Sequence, residues 1–416
     1  MVQTISKSSV LDKSIQYWNP GKTEQWQRDG VDLVIGKREG YYLYDMDGKQ
    51  LMDLHLNGGT YNLGHRNQEI ISTLKEAMDQ FDIGNHHFPS MARAQLAEKF
   101  NQCTPDNLRY SIFSSGGGEA IDVAIKSARY ATKRKKVVSV KYAYHGHTGI
   151  AVSLGNERYS KPFLSEGSPD EVVNVVFNDL DAMERALSRE DVACVIIETI
   201  PATYGFPLPE PGYLEGTKRL CEKYGALYVA DEVQTGLLRT GKLWGFEHHN
   251  IKPDIMVTAK GLSGGIYPIA ATVVSEKVGQ WMNDDGFAHI STFGGSELGC
   301  VVAMKVLEIS QRPEVVENVD YVARYLHAGL ERIKSRYPDH FTGIRQKGVI
   351  LGLEFSKPDG AKDVMRALYD NGVWAIYSML DTKVLQFKPG ILLDQRYCDD
   401  LLNRVETSMA QAVRNM

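Results

Sequence analysis

The spacing of hydrophobic and polar positions changes twice along the chain. Residues 31–56 (VDLVIGKREGYYLYDMDGKQLMDLHL) alternate in short runs broken by Arg-Glu-Gly and Asp-Gly-Lys, which predicts a β-meander with hairpin turns. From about residue 65 the pattern becomes apolar run, turn, amphipathic helix, apolar run, the signature of a parallel α/β sheet. After Ser310 come a long helical stretch (VENVDYVARYLHAGLERIKSRY), the strand-like GVILGLEF, a helix around DVMRALYDNG, a strand at VLQFKP and a terminal helix. The pattern therefore predicts an α/β protein whose large domain, residues 65–310, carries a mostly parallel sheet between helices. A smaller α+β domain draws on both termini, with the N-terminal segment and meander in 1–64 and the C-terminal module in 311–416.

Three apolar runs of the large domain end in an ionisable residue. Val192 to Ile197 ends at Glu198, Ala226 to Ala230 at Asp231, and Ile255 to Ala259 at Lys260. Each reads as a buried parallel strand, and helical patterns with Leu180, Met183 and Leu187, and with Leu214 through Tyr224, supply crossovers between them. Ligands of open α/β sheets sit outside the carboxyl ends of the strands, so two acids and a lysine are expected in one crevice.

Composition narrows the possible functions. The 416 residues are 43% hydrophobic and 24% charged, ordinary for a globular chain long enough to bury a large core. A net charge of −5 provides no basic field to gather nucleic acid or anionic lipid. No stretch approaches the roughly 20 uncharged apolar residues that span a bilayer, and the N-terminus lacks the apolar core of a signal peptide. Five scattered cysteines without a CxxC pair suggest neither a disulfide framework nor structural zinc, which points to the cytoplasm.

The run Ser114-Ser115-Gly116-Gly117-Gly118-Glu119 follows a strand-like Tyr110 to Phe113 and opens a helix. Glycine backbone N–H groups at a helix N-terminus can cradle a phosphate, although an isolated triple glycine also serves as a tight turn. Tyr142-Ala143-Tyr144-His145-Gly146-His147 follows the apolar run Val137 to Val140 and brings an aromatic face to the same edge. Singly, such an aspartate is commonly a helix cap and such a lysine a surface charge. Together, an amine, an acid, an aromatic face and a phosphate-binding helix end are what pyridoxal phosphate requires. The histidine pairs His86-His87 and His248-His249, and His145 with His147, lack the spacing of common zinc sites, so no metal is expected. The basic run Lys133 to Lys136 reads as a solvated helix end.

At this point the chain resembles the class III, ω-aminotransferase-like group of fold-type I pyridoxal phosphate enzymes. The likeness rests on YYLYDMDGKQLMDL, NLGHRNQEI, SGGGEAIDVAIKSAR, YHG, VIIE, YVADEVQTGLLRTGKLWGFE, PDIMVTAKGLSGG, STFGGSELGC and GVILGLEF, and spans nearly the whole sequence. It implies that Lys260 is the Schiff-base lysine, Asp231 the partner of the pyridine nitrogen, Val233 a ring-packing residue and Gln234 a neighbour of the phenolic oxygen. Tyr144 would stack on the ring, Glu198 would stand beside the cofactor, and Gly116, Gly117 and Gly118 would form the phosphate loop. Thr292 resembles the threonine that reaches the neighbouring subunit's phosphate, which implies a homodimer with shared sites. The implied reaction is ping-pong transfer of an amino group from a small amine or amino acid to a carbonyl or 2-oxo acid.

Three departures qualify that expectation. Gly118 stands where members commonly have Ser or Thr. Thr203 replaces a glutamate of the family pattern, and Gln386 replaces the arginine that binds substrate carboxylates and swings to that glutamate. A glutamine lacks the bidentate fork of arginine, and Lys388, two residues further along a strand, is the nearby cation. Racemisation, intramolecular amino transfer or elimination at the same cofactor site therefore remain alternatives. So does phosphate or nucleotide binding without catalysis.

Overall fold

The computed structural model describes residues 5–415. The predicted meander is present as β1 (Ile35–Glu39), β2 (Tyr42–Asp45) and β3 (Gln50–Asp53), paired antiparallel in sequence order. A seven-stranded sheet follows, built from β4 (Leu108–Ser114), β5 (Lys136–Val140), β6 (Val172–Val175), β7 (Val192–Glu198), β8 (Leu227–Asp231), β9 (Ile255–Thr258) and β10 (Ala270–Ser275). The C-terminal part adds β11 (Phe341–Lys347), β12 (Ile350–Phe355), β13 (Val373–Trp374), β14 (Ile376–Tyr377) and β15 (Val384–Phe387).

The large sheet has the order β4-β10-β9-β8-β7-β5-β6. Only β10 runs antiparallel, wedged between β4 and β9, so the carboxyl ends of the other strands share one edge. β7 is buried throughout because side chains on both faces meet protein. Cys194 and Ile196 pack with Ile121, Ala124 and Ala128 of the helix Gly117–Thr132, while Val195 and Ile197 join Phe100, Leu214 and Tyr228 on the other side. An unbroken apolar run is what such a strand requires.

The N-terminal meander does not stand alone. β3 pairs in parallel with β13, Met52 opposite Val373 and Asp53 opposite Trp374, so residues more than 300 positions apart share one small sheet. A second small sheet, β11-β12-β15-β14, places Gln386 on β15 opposite Gly352 and Ile376. The long helices Pro313–Arg336 and Gln395–Asn415 pack together beside these strands.

The basic run differs from its predicted role. The helix ends at Thr132, and Lys133 closes it in the left-handed region at φ 57°. Arg134 then donates to the carbonyls of Val192, Tyr224 and Gly225, and Lys136 is buried in β5 and paired with Asp191. Only the start of the run behaves as a helix end, because β5 begins before the charges stop.

Ile196 is fully buried at the centre of β7. Ile196→Ala is expected to cost about 2–5 kcal/mol, transfer plus cavity, read as a lower midpoint in denaturant unfolding.

Candidate active site

The common strand edge gathers the predicted chemistry into one cavity of about 460 Å³. β4 leads into Ser115 and Gly116, the latter capping the helix that starts at Gly117; β5 leads to Tyr144 and His145. β7 and β8 end on Glu198 and Asp231, which are register partners. β9 is followed by Ala259 and Lys260. Gly116, Gly117, Gly118, Tyr144, Glu198, Asp231, Val233, Gln234 and Lys260 all line this cavity. Thr292 does not; it is exposed on the segment before the helix Glu297–Ser310.

Asp231 is held by two donors. Its Oδ1 accepts from the Val233 N–H at 3.0 Å, and its Oδ2 lies 2.7 Å from His145 Nδ1. The other imidazole nitrogen is 3.3 Å from Ser139 Oγ. Burial pulls the His145 pKa down, but the hydrogen bond and charge of Asp231, with the charge of Glu198, prevail and raise it. Glu198 accepts from the Tyr144 N–H at 2.9 Å and the Ala202 N–H at 3.2 Å, tying two site loops together. Burial lifts its carboxyl to about 7, with His145 opposing and Asp231 adding to the rise.

Lys260 donates to Gln234 Oε1 at 3.0 Å. Its amine is held below the ordinary lysine range by burial, with Asp231 and Glu198 opposing and Arg239 assisting. The Lys260 backbone sits in the left-handed region at φ 44°, a conformation that costs a non-glycine residue about 1–3 kcal/mol and clusters at functional sites. Facing it, Leu56, Asn57, Gly58 and Gly59 all have positive φ. A Cβ on Gly58 would stand 3.5 Å from Lys260 Cε, so bare backbone forms that wall.

The residues present fit pyridoxal phosphate. Gln234 Nε2 is buried without a hydrogen-bond partner, a free donor beside the lysine. The Gly116–Gly118 backbone opens a helix toward the cavity, where an anion gains from the helix end. A Cβ on Gly118 would fall 2.7 Å from Thr148 Oγ1, so a threonine hydroxyl already occupies the space beside this glycine. Thr148 lines the same cavity and donates to Asp122 at 2.9 Å.

Sequence reasoning missed several of these groups. The sequence reading assigns His145 no role once a metal site is set aside, yet it is the partner of Asp231; its place directly after Tyr144 on the strand edge is the available signal. Arg239, buried and donating to Pro389 O, Gly59 O and Asn62 Oδ1, gave no sequence signal because its contacts lie about 150 to 180 positions away. Gln386 donates to Ala202 O at 3.1 Å, and the Thr203 backbone carbonyl accepts from Ser378. Neither Gln386 nor Lys388 lines the cavity; Lys388 is buried and donates to Gln386 Oε1.

Comparison with known proteins identifies the family. The model of the class-III aminotransferase family matches residues 24–409. An uncharacterised aminotransferase of Archaeoglobus fulgidus is 44% identical over 405 residues, covering 97% of this chain and 94% of its own. The chain belongs to the class-III aminotransferases, pyridoxal-phosphate-dependent enzymes of fold type I. Among solved structures, the ornithine aminotransferase of Toxoplasma gondii superposes with a TM-score of 0.90 at 23% identity, covering 100% of this chain and 97% of its own. A transaminase from the marine bacterium Virgibacillus superposes with a TM-score of 0.90 at 25% identity, covering 98% and 99%.

Two measurements test the electrostatics. His145→Ala is expected to lower turnover about tenfold to a hundredfold, the worth of one charge-assisted hydrogen bond, with the fold retained by circular dichroism. Glu198 and Glu232 both titrate near 7 when folded, against an ordinary 4.5, because burial favours their protonated forms. Folded pKa values raised in this way contribute stability that is complete below about 4.5 and lost as pH rises through about 7. Unfolding free energy contributed by these groups should therefore fall between pH 5 and pH 8, and Glu198→Gln, permanently neutral, should lose less over that window.

Proposed function

We propose that this enzyme moves an amino group from a small amine or amino acid to a carbonyl or 2-oxo acid acceptor in two half-reactions, with Lys260 as covalent anchor and proton carrier. The observation that carries the reading is the placement of the Lys260 amine, depressed in pKa and 3.0 Å from Gln234 Oε1, in one cavity with the buried Asp231 and Glu198. Pyridoxal phosphate, when bound, supplies an electrophilic carbon and an electron sink.

The chain's own residues then divide the work. Asp231, oriented by His145 and the Val233 N–H, would keep the pyridine nitrogen protonated. The Gly116–Gly118 backbone would hold the phosphate, Tyr144 and Val233 would pack against the ring, and the unpartnered Gln234 Nε2 would donate to the phenolic oxygen. With its amine free, Lys260 would stand in the cavity as a general base whose pKa burial lowers, placed to move a proton. Thr292 belongs to a second copy's phosphate site. Exposed Phe88, Met91, Phe287, Ile290 and Phe293 on neighbouring segments supply an apolar surface for that homodimer. No helix among the described residues is long and apolar enough to cross a membrane, and the reading places the enzyme in the cytoplasm.

The test is a panel of amine donors with pyruvate and 2-oxoglutarate, following the new amino acid and the new carbonyl product. Transfer to at least one acceptor is expected. Racemised or eliminated donor without transfer would replace this reading with one of its alternatives. Lys260→Ala is expected to fold and to turn over essentially nothing, and borohydride reduction of the wild type should tag Lys260 in peptide mass spectra. Substantial steady-state turnover in Lys260→Ala would refute the assignment.

A further inference from the structure

Lys388 follows β15 two residues after Gln386, on the same face of the strand. Its backbone N–H donates to Leu54 O at 2.7 Å, fixing the end of β15 against the segment that walls Lys260. The side chain is 1% exposed, its ammonium 5.3 Å from the Phe206 ring centre. Among the described residues its one polar side-chain partner is Gln386 Oε1. Arg239, also 1% exposed, gives its hydrogen bonds to two carbonyls and an amide. Among the described residues neither cation forms an ion pair with a carboxylate. Buried charges are ordinarily paired, and two unpaired ones beside a catalytic amine are a costly arrangement.

We propose that Lys388 receives the carboxylate of an anionic substrate, and that the Gln386 amide is the neutral placeholder that this carboxylate displaces. The proposal rests on the aminotransferase reading above and names how that site recognises an anion. Gln386 shows where the acceptor would sit, because a planar amide already presents one oxygen to Lys388 while its nitrogen reaches Ala202 O. A carboxylate has the same planar shape and carries charge, which roughly doubles the strength of such a hydrogen bond. Ala202 is in turn held by Glu198, so the slot lies one peptide away from the buried acids of the site.

The charges around Lys388 make the binding proton-linked. Burial, Lys260 and Arg239 hold its pKa well below the ordinary lysine value. Asp53 opposes them, but its oxygens already serve His65 and the His55 and Leu56 N–H groups. His55, beside the same three cations, is itself pushed down and adds no anion. A carboxylate arriving at Lys388 therefore raises its proton affinity.

The experiment titrates glutarate, an unreactive dicarboxylate, into the holoenzyme and follows the cofactor absorbance band, with calorimetry in two buffers to count protons. Wild type is expected to bind with proton uptake and to weaken as pH rises. Lys388→Met should raise the glutarate Kd about tenfold or more while the absorbance band persists. An unchanged Kd in that variant overturns the proposal. Should Lys388→Met not fold, Gln386→Ala decides: removing the placeholder should tighten glutarate binding several-fold, and unchanged or weaker binding overturns the proposal. Glutarate binding needs no turnover, so loss of the aminotransferase reading in the Lys260→Ala test would be seen separately.

Discussion

Two buried carboxylates face each other across adjacent parallel strands, and much of the site is arranged around that constraint. Glu198 and Asp231 are register partners, so their separation is set by the sheet and cannot relax. Like charges this close in a dry environment cannot both be fully ionised without compensation. His145 supplies it for Asp231 directly, and two backbone N–H groups do so for Glu198, which still holds its proton to about 7. The outcome is an asymmetric pair, with Asp231 tied to an imidazole of raised pKa and Glu198 serving as a proton-sharing brace between two loops. The Lys260 amine sits within the field of both acids, and their attraction only partly offsets its burial.

That arrangement requires backbone that could not form in isolation. Lys260 and the Leu56–Gly59 turn adopt left-handed conformations opposite each other, and Leu237 and Leu238 do the same just before Arg239. Such strain persists only where the surroundings over-determine it. Here Asp53 caps the turn through the His55 and Leu56 N–H groups, and Arg239 bonds Gly59 O, Asn62 and Pro389 O. The guanidinium thereby joins the large sheet's loops to both the N-terminal turn and the end of β15. Its burial, without a carboxylate, lowers its own pKa to about 10 and leaves positive potential beside Lys260.

The sequence announced those parts of the fold whose physics is local. The runs ending in Glu198, Asp231 and Lys260 are legible because a strand covered on both faces has to be continuously apolar. The helices Leu180–Leu187 and Tyr213–Tyr224 follow from their periodicity. Pairings between distant segments were not legible. Nothing in Ala270–Ser275 marks it as the one antiparallel strand, since its direction is set by the turn that follows Lys260. The two-residue β13 has no pattern of its own and is a strand only because Met52 and Asp53 pair with it. His145 is the instructive case: it stands directly after Tyr144, but the partner of a carboxylate is chosen in space, and Asp231 is 86 positions away.

The same division bears on how substrates are chosen. Chemistry is concentrated on the carboxyl edge of one rigid sheet, where register fixes the distance between acids and amine. The residues replaced relative to the family pattern, Thr203 and Gln386, lie instead where the loop after β7 meets β15 of the small sheet. There the Thr203 carbonyl accepts from Ser378 and Gln386 bonds Ala202 O. A side chain there can change without disturbing the Asp231–His145 pair, because its contacts run to one loop and one strand rather than to the central core. The arginine and glutamate are absent together, and the loop is instead latched by neutral hydrogen bonds to the small sheet. What positive charge remains near β15 is buried in Lys388 and Arg239. Thr203 and Gln386 therefore sit on the seam between the two sheets, while the two acids and the lysine sit on the edge of one.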